Sequence, residues 1–284
     1  MIFKKINGMI RLFRPDLSLA AGICVVTWQI LTTGRLPALQ TGVLGFLCGF
    51  ALSAAALVLN DYFDYEVDRI NAPLRPLPSG AVSRSEALLL TAAISLVGLI
   101  AAALLGLAAL GVGILFWLIG ILYNWRFKQT GLPGNLMVSA SVAVTFILGA
   151  ITVGLPWSRI AWTFGLMAFF FDLGEEIAGD AMDMEGDKIR SSKSLALLKG
   201  KPFALRLTAI LWSLVIVLGF IPFALGWLGW IYLAVILCMV GLLAYCAVRL
   251  LRSSDAVSGR RAMRTAYLGA TLAIVAFLIG QWIP

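Results

Sequence analysis

The chain has 284 residues, of which 61% are hydrophobic and only 13% charged, with a formal net charge of +8. A soluble domain carries about 25% charged residues, so the composition excludes an ordinary soluble protein. The apolar residues form long runs along the whole chain, whereas an outer-membrane barrel has short alternating segments. We therefore predict an all-α, polytopic membrane protein with a single transmembrane domain over residues 1–284.

Nine apolar runs are long enough to cross a bilayer as helices, since about 20 residues suffice. With nine spans, 20 of the 22 lysines and arginines fall on the side of the N-terminus, and only Arg35 and Arg159 fall opposite. The positive-inside rule then predicts a multi-pass protein of the cell membrane with a cytoplasmic N-terminus. This placement explains the positive charge without a nucleic-acid partner. The predicted spans cover residues 16–34, 38–60, 86–106, 108–124, 136–154, 158–178, 203–224, 227–249 and 264–283.

The cytoplasmic end of span 2 carries the segment NDYFDYEVDR over residues 60–69. Its Asp61, Asp64 and Asp68 stand at offsets i, i+3 and i+7, and Asn60 precedes Asp64 by four residues. If the helix continues through this segment, the side chains line one face. We name Asn60, Asp61, Asp64 and Asp68 the first acidic set.

Span 6 ends in a second acidic segment with matching offsets. Asp180, Asp183 and Asp187 again stand at i, i+3 and i+7, with Glu176 one turn before them. We name these four residues the second acidic set. Because both sets end even-numbered spans, the sequence indicates a weak internal repeat with a period of four spans.

Like charges on one helix face repel, so each set requires a compensating cation. Mg²⁺ prefers oxygen ligands and typically combines one or two carboxylates with substrate phosphates. Two facing sets would hold Mg²⁺ ions that bridge a diphosphate, and Arg75, Lys128 and Lys193 would clamp the remaining phosphate oxygens. An allylic prenyl diphosphate fits such a site in helical cytoplasmic loops, because its hydrocarbon tail enters the apolar bundle.

The chain lacks the residues that several other kinds of functional site require. The chain has no histidine, which excludes Ser-His-Asp and Cys-His hydrolases, and its four cysteines show no zinc-binding spacing. No GxxxxGK[ST] motif supports a P-loop nucleotide site. A transporter is the alternative outside enzymes, but it should place its charges near the bilayer midplane, whereas these cluster at one rim. A non-catalytic scaffold leaves the two matching sets unexplained.

At these residues the sequence resembles the UbiA superfamily of intramembrane prenyltransferases, over nearly the whole chain. The stretch Asn60-x3-Asp64-x3-Asp68 resembles the first family motif, and Asp183-x3-Asp187 resembles the second. The resemblance implies that these five residues bind Mg²⁺, with the four aspartates catalytic. It gives Asp61, Asp180 and Glu176 supporting roles.

Two further stretches resemble the family more loosely. Tyr123-Asn124-x3-Lys128 is similar to a Tyr-Ser-x3-Lys stretch, which implies that Tyr123, Asn124 and Lys128 bind the diphosphate. Arg14-Pro15, before span 1, is similar to a common Arg-Pro pair and implies that Arg14 contacts the acceptor. Asn124 departs from the usual serine, and Asp16-Leu17 departs from the asparagine expected after Pro15.

Within the superfamily, the segments around both acidic sets are most similar to digeranylgeranylglyceryl phosphate synthases. The resemblance implies transfer from geranylgeranyl diphosphate to geranylgeranylglyceryl phosphate, in ether-lipid synthesis. Glu175 and Gly179 depart from the basic residues common in those enzymes. Chlorophyll synthases share parts of both segments, so an aromatic or chlorophyllide-type acceptor stays open, as does terpene cyclisation. The partners expected are the two substrates and membrane lipids, with no required protein partner.

Overall fold

The computed structural model describes residues 2–185 and 192–280, and within those ranges it contains helices and turns but no strand. A π-helical turn, Tyr123–Phe127, follows the sixth helix. The helices are α1 (Ile2–Leu12), α2 (Pro15–Thr33), α3 (Leu39–Phe63), α4 (Tyr65–Asn71), α5 (Arg84–Leu105), α6 (Leu107–Leu122), α7 (Leu132–Thr152), α8 (Arg159–Met182), α9 (Leu195–Lys199), α10 (Lys201–Ala224), α11 (Trp230–Leu251) and α12 (Ala256–Gly280).

The long helices correspond to the nine predicted spans. In the described part of the chain, eight helical segments are long and apolar enough to cross a membrane, namely α2, α3, α5, α6 with the π-helical turn, α7, α10, α11 and α12. The ninth, α8, has 24 residues, which is about 36 Å at 1.5 Å per residue. It differs in composition because its second half carries four acidic residues. The predicted fold class, an all-α polytopic membrane protein, is confirmed.

The chain divides into two compact units. Unit 1 consists of Met1–Trp125 and Val144–Trp157, and unit 2 of Arg126–Ala143 and Ser158–Pro284. Each is described separately below, and the single-domain organisation over residues 1–284 stays a prediction.

Unit 1 is organised around α3, which packs against α1, α2, α5 and α6. Its apolar core combines Val25 of α2, Leu52 of α3 and Leu148 of α7, all at most 3% exposed. Small residues allow the helices to pack closely: Gly98 of α5 lies so near α3 that a Cβ on it would be 2.8 Å from the Leu52 side chain. Such close contact is how membrane helices gain packing energy in the absence of a hydrophobic driving force.

Helix α5 starts at a capping box. The Ser83 hydroxyl accepts a hydrogen bond from the Glu86 backbone N–H, and the Glu86 carboxylate accepts one from the Ser83 N–H. Glu86 also pairs with Lys5 of α1. Glu86 therefore stabilises the start of α5. It lies at a distance in sequence from both acidic sets.

Unit 2 is built on the packing of α8 against α10. Trp212 of α10 is fully buried, and its indole N–H donates a hydrogen bond to the Phe171 carbonyl at 3.1 Å. The Thr208 hydroxyl donates to the Gly174 carbonyl at 2.9 Å. These bonds fix the helix that carries Glu176 and Asp180 of the second acidic set.

Candidate active site

The first acidic set lies where α3 passes into α4. Helix α3 ends at Phe63, α4 begins at Tyr65, and Asp64 lies between them. Helical hydrogen bonds nevertheless cross the junction, from the Asp64 N–H to the Asn60 carbonyl and from the Asp68 N–H to the Asp64 carbonyl. The predicted four-residue register of Asn60, Asp64 and Asp68 therefore persists through the break.

Two arginines neutralise this set. Asp61 and Asp68 are only 4% and 6% exposed. The Arg14 guanidinium lies 2.6 Å from the Asp61 carboxylate, and Arg75 lies 2.7 Å from Asp68 and 3.5 Å from Asp61. Burial tends to lower the pKa of Arg75, but the hydrogen bond to Asp68 and the charges of Asp61 and Asp64 outweigh it and raise that pKa. The structure thus keeps positive charge against two buried carboxylates.

Arg14 reaches Asp61 from an unusual backbone conformation. Its φ of 45° and ψ of 72° lie in the left-handed region, and it is the one non-glycine residue of the described chain with a positive φ. Such a conformation costs on the order of 1–3 kcal/mol and persists only where surrounding contacts compensate. Here those contacts are the ion pair with Asp61 and the start of α2 at Pro15. Acceptor contact by Arg14 stays a prediction.

Asn124 orients Asn60. The Asn60 amide N–H donates to the Asn124 side-chain oxygen at 3.1 Å, so the Asn60 oxygen faces away, toward Arg14 at 3.5 Å. The Asn124 amide donates in turn to the backbone carbonyls of Ala56 and Gly120. Asn124 is 7% exposed, and the structure places it behind Asn60 as a positioning residue. Its predicted contact with diphosphate, like that of Tyr123 in the same π-helical turn, stays a prediction.

The second acidic set straddles the end of α8. Glu176 and Asp180 lie within the helix, Asp183 is the residue at which it ends, and Asp187 lies outside the described residues. The helical continuation that would place this set on one helix face therefore stops at Asp183, where the backbone leaves helical geometry with φ at −111°. Both sets nonetheless share one feature: the second aspartate, Asp64 or Asp183, lies just past a helix end.

Unit 2 supplies polar partners to the carboxylates of α8 and to Asp183 that the sequence did not reveal. The Asn135 amide donates to the Asp180 carboxylate at 2.9 Å, and the Ser139 hydroxyl donates to Asp172 at 2.8 Å. Asn135 and Ser139 stand four residues apart on one face of α7, a spacing that could have indicated a polar seam. Arg260 of α12 pairs with Asp183. Sequence spacing does not indicate this pair, because the two residues are 77 positions apart.

The two lysines predicted to clamp phosphate belong to neighbouring segments of unit 2. The Lys193 backbone N–H donates to the Gln129 carbonyl at 3.1 Å, directly beside Lys128 in sequence. Gly131 permits this approach, because its φ is +71° and a Cβ there would lie 2.1 Å from the Lys193 carbonyl oxygen. Backbone pairing therefore brings the Lys128 and Lys193 segments together in unit 2. Their contact with phosphate stays a prediction.

The donor chemistry of both sets suits a hard divalent cation. Among residues 2–185 and 192–280, no three His, Cys, Asp or Glu side chains form a preformed metal cluster. Mg²⁺ does not need one, because it usually takes one or two carboxylates and completes its octahedron with water and phosphate oxygens. The first set offers the carboxylates of Asp64 and Asp68 and the amide oxygen of Asn60, and the second offers Asp183. The residues present therefore fit magnesium.

Comparison with known proteins agrees with this architecture. The chain is 36% identical over 97% of its length to the digeranylgeranylglyceryl phosphate synthase of Thermococcus kodakarensis, covering 98% of it. It is 35% identical over 96% of its length to the enzyme of that name from Methanopyrus kandleri, again covering 98%. A solved structure concerned with digeranylgeranylglyceryl phosphate synthase superposes with a TM-score of 0.87 at 26% identity and 98% coverage of both chains.

More distant structures share the fold. A UbiA homolog from Archaeoglobus fulgidus, bound to GPP and Mg²⁺, superposes with a TM-score of 0.69 at 20% identity, covering 95% of this chain and 99% of that one. The UbiA prenyltransferase family matches residues 21–280. With nine long helices in the described residues and two oxygen-rich sets, the chain belongs to the UbiA prenyltransferase family and is an integral membrane prenyltransferase.

Proposed function

We propose that this protein transfers a geranylgeranyl group from geranylgeranyl diphosphate to geranylgeranylglyceryl phosphate, with Mg²⁺ as cofactor, in ether-lipid synthesis. The observation that carries the proposal is the pair of acidic sets at the ends of α3 and α8. It is supported by the similarity to a digeranylgeranylglyceryl phosphate synthase over 97% of the chain.

The metal-binding residues are Asn60, Asp64 and Asp68 in the first set, with Asp183 and, from the sequence, Asp187 in the second. Mg²⁺ supplies charge stabilisation for the departing diphosphate. Asp61 does not need to touch the metal, because Arg14 already neutralises it. Its role is to hold Arg14 and, through the longer contact, Arg75.

The role of Arg75 is to exchange its ion pair with Asp68 for a contact with phosphate. Its guanidinium pairs with Asp68 while about a third of the side chain stays exposed. A cation held by Asp68 would replace this ion pair, and the Arg75 guanidinium would then be available to a phosphate oxygen, which its planar fork binds bidentately. Lys128 and Lys193 add positive charge for the same group.

Transfer breaks the bond between the allylic C1 carbon and the diphosphate oxygen, which leaves with the electron pair. The free hydroxyl oxygen of the acceptor then bonds to C1 to give an ether, and its proton is lost to diphosphate or water. The apolar spans exclude water from the electron-poor allylic carbon, which favours transfer over hydrolysis.

Product analysis tests the proposal directly. Purified protein is incubated with geranylgeranyl diphosphate and, in separate reactions, geranylgeranylglyceryl phosphate, an aromatic acid or chlorophyllide, and the products are identified by mass spectrometry. We expect an ether product with the glyceryl phosphate, loss of turnover with a chelator, and recovery with Mg²⁺. Prenylation of the aromatic acid or chlorophyllide instead, or a cyclic terpene without acceptor, would refute the assignment.

Substitution tests the two sets separately. Asp64→Asn and Asp183→Asn each remove one negative charge at nearly constant shape, and each should reduce the transfer rate by on the order of 100-fold or more. The reduction in transfer rate of the double variant should be much smaller than the product of the two single reductions, because both sets act on one leaving group. Glu86→Gln is the matched control, since Glu86 caps α5, pairs with Lys5 and belongs to neither acidic set. Near-normal turnover in folded Asp64→Asn and Asp183→Asn would exclude both residues from the site.

We also propose that the N-terminus and both acidic sets face the cytoplasm. The support is the distribution of Lys and Arg, of which 20 of 22 fall on that side. Single-cysteine variants in residues 72–83 and 192–194 should react with a membrane-impermeant thiol reagent only in inside-out vesicles. Labelling of the two segments from opposite faces would refute the nine-span topology.

A further inference from the structure

Unit 2 contains a concavity that the acidic sets do not account for. It has a volume of about 290 Å³ and lies between α8 and α12. Glu175 lines it from α8, and Arg260, Met263, Arg264 and Tyr267 line it from α12. This volume is at the lower end for small-molecule sites, about 300–1,000 Å³, so it suits a headgroup rather than a whole lipid.

The lining combines three kinds of chemistry. Arg260 and Arg264, one turn apart on α12, present two guanidinium groups, which bind phosphate bidentately. Glu175 is half-buried and offers a carboxylate that accepts a hydrogen bond from a hydroxyl. Met263 and Tyr267 add apolar surface, and Tyr267 lies about 10 Å along the helix from Arg260 at 1.5 Å per residue. A ligand with a phosphate, a free hydroxyl and a hydrocarbon chain matches all three.

Arg260 connects this concavity with the second acidic set. Its guanidinium pairs with Asp183, and the two side chains are 58% and 59% exposed. Ion pairs this exposed contribute little, so a phosphate dianion can take the guanidinium without a large loss of stability. A phosphate bound there would lie beside the end of α8, where Asp183 is proposed to hold the metal.

Membrane topology explains why Arg260 and Arg264 lie near the end of a span, but not why both side chains line the concavity. The positive-inside rule requires only that basic residues lie near the ends of the spans. Arg261, on the same turn of α12, satisfies that rule equally well, yet it does not line the concavity. Two guanidinium groups in one concavity with a carboxylate need a further reason.

We propose that Arg260 and Arg264 bind the phosphate of the acceptor and that Glu175 binds its free hydroxyl. The inference rests on the proposed function and adds to it the residues that select a phosphate-bearing acceptor over an uncharged one. The site belongs wholly to unit 2 and is distinct from the residues assigned to the diphosphate.

Steady-state kinetics with two acceptors test the inference. The variants Arg260→Gln and Arg264→Gln are compared with Arg261→Gln, which removes the same charge from the same helix. The acceptors are geranylgeranylglyceryl phosphate and geranylgeranylglycerol, which lacks the phosphate. Monodisperse elution in detergent confirms that each variant is folded. Arg264→Gln is included because Arg264 lines the concavity, whereas the ion pair of the proposed metal ligand Asp183 among the described residues is with Arg260.

The expected result is a selective loss of phosphate recognition. For the phosphate-bearing acceptor, KM should rise by about 10- to 100-fold in Arg260→Gln and Arg264→Gln, as expected for one charge-assisted hydrogen bond. KM for geranylgeranyl diphosphate should stay within about threefold of wild type, which is below the loss of even one such bond. KM for geranylgeranylglycerol should be the same in all four proteins.

Three results would overturn the inference. Equal KM values in the Arg261→Gln, Arg260→Gln and Arg264→Gln proteins would show that the concavity does not select phosphate, while leaving the proposed function intact. Equal increases for both acceptors would indicate a structural role only, and a rise for geranylgeranyl diphosphate alone would assign the arginines to the other substrate. A wild-type protein without transfer to either acceptor would instead reject the proposed function itself.

Discussion

Replacing Arg75 by glutamine would separate the charge balance of the first acidic set from its metal binding. Arg75 lies 2.7 Å from Asp68, which is 6% exposed, whereas Asp61 keeps its own partner in Arg14. Removing one partner of a fully buried ion pair costs about 3–5 kcal/mol. The Arg75 side chain is 37% exposed, so screening reduces this to about 1–3 kcal/mol. The substitution should lower Tm by about 2–6 °C.

Adding Mg²⁺ should raise the Tm of Arg75→Gln more than it raises the Tm of the wild type. In wild type, a cation must displace Arg75 from Asp68, whereas in Arg75→Gln the carboxylate has no guanidinium to give up. The rise in Tm on adding Mg²⁺ should therefore be larger in the variant than in wild type, even though its Tm in a chelator is lower. Thermal unfolding in detergent, followed across a Mg²⁺ titration, measures both quantities on the same sample.

Arg69→Gln is the matched control for this experiment. Arg69 pairs with Glu66 on the same segment at 3.3 Å, but the side chains are 59% and 74% exposed. Such a pair contributes about 0–1 kcal/mol, so the control should unfold almost as wild type does and gain no additional Mg²⁺ response. If Arg75→Gln behaves like Arg69→Gln in both respects, the guanidinium does not guard a cation site and the reasoning fails.

Three further predictions concern other parts of the chain. Gly174→Ala should destabilise the protein by about 1–3 kcal/mol, because the new Cβ would lie 2.7 Å from the indole nitrogen of the fully buried Trp212; an unchanged Tm would contradict that packing. Asn124→Ala should raise the Mg²⁺ concentration for half-maximal thermal stabilisation about 10-fold or more, since it releases Asn60; an unchanged midpoint would exclude Asn60 as a ligand. Asp255 has a lowered pKa, chiefly because it accepts a backbone hydrogen bond at the start of α12, so its stabilisation is present at neutral pH and lost as the pH falls through that pKa. The acid-induced fall in Tm should be smaller in Asp255→Asn, and identical pH profiles would show that the cap contributes nothing.

Much of the fold was predictable because membrane spans leave a strong trace in the sequence. Apolar run length and the distribution of basic residues located the nine long helices of the described chain, mostly to within about four residues, although α12 begins at Ala256 and not at the predicted residue 264. The family's oxygen-rich sets stand at the ends of two of these helices. The ends of those helices were harder to predict. Asp64 and Asp183 each lie past a terminus, and neither is next to a glycine or proline that would mark a helix end in the sequence.

The partners of the acidic residues were not predictable from spacing. Arg260 meets Asp183 across 77 positions of sequence, and Asn124 meets Asn60 across 64. Such pairs depend on which helices are neighbours, and no local pattern encodes that choice. The contact of Asn124 with Asn60 gives a physical reason for an asparagine at this position: its amide both accepts from Asn60 and donates to two backbone carbonyls.

The left-handed backbone at Arg14 has a consequence for anyone who selects hardier versions of this enzyme. Glycine adopts φ near 45° without steric cost, so Arg14→Gly would relieve a backbone strain of about 1–3 kcal/mol. The same exchange deletes the cation that neutralises the buried Asp61, and leaving a buried charge unpaired costs about 3–5 kcal/mol. The loss therefore outweighs the relief, even before the added flexibility of glycine in the unfolded chain is counted. A library selected on heat resistance alone should retain arginine at this position.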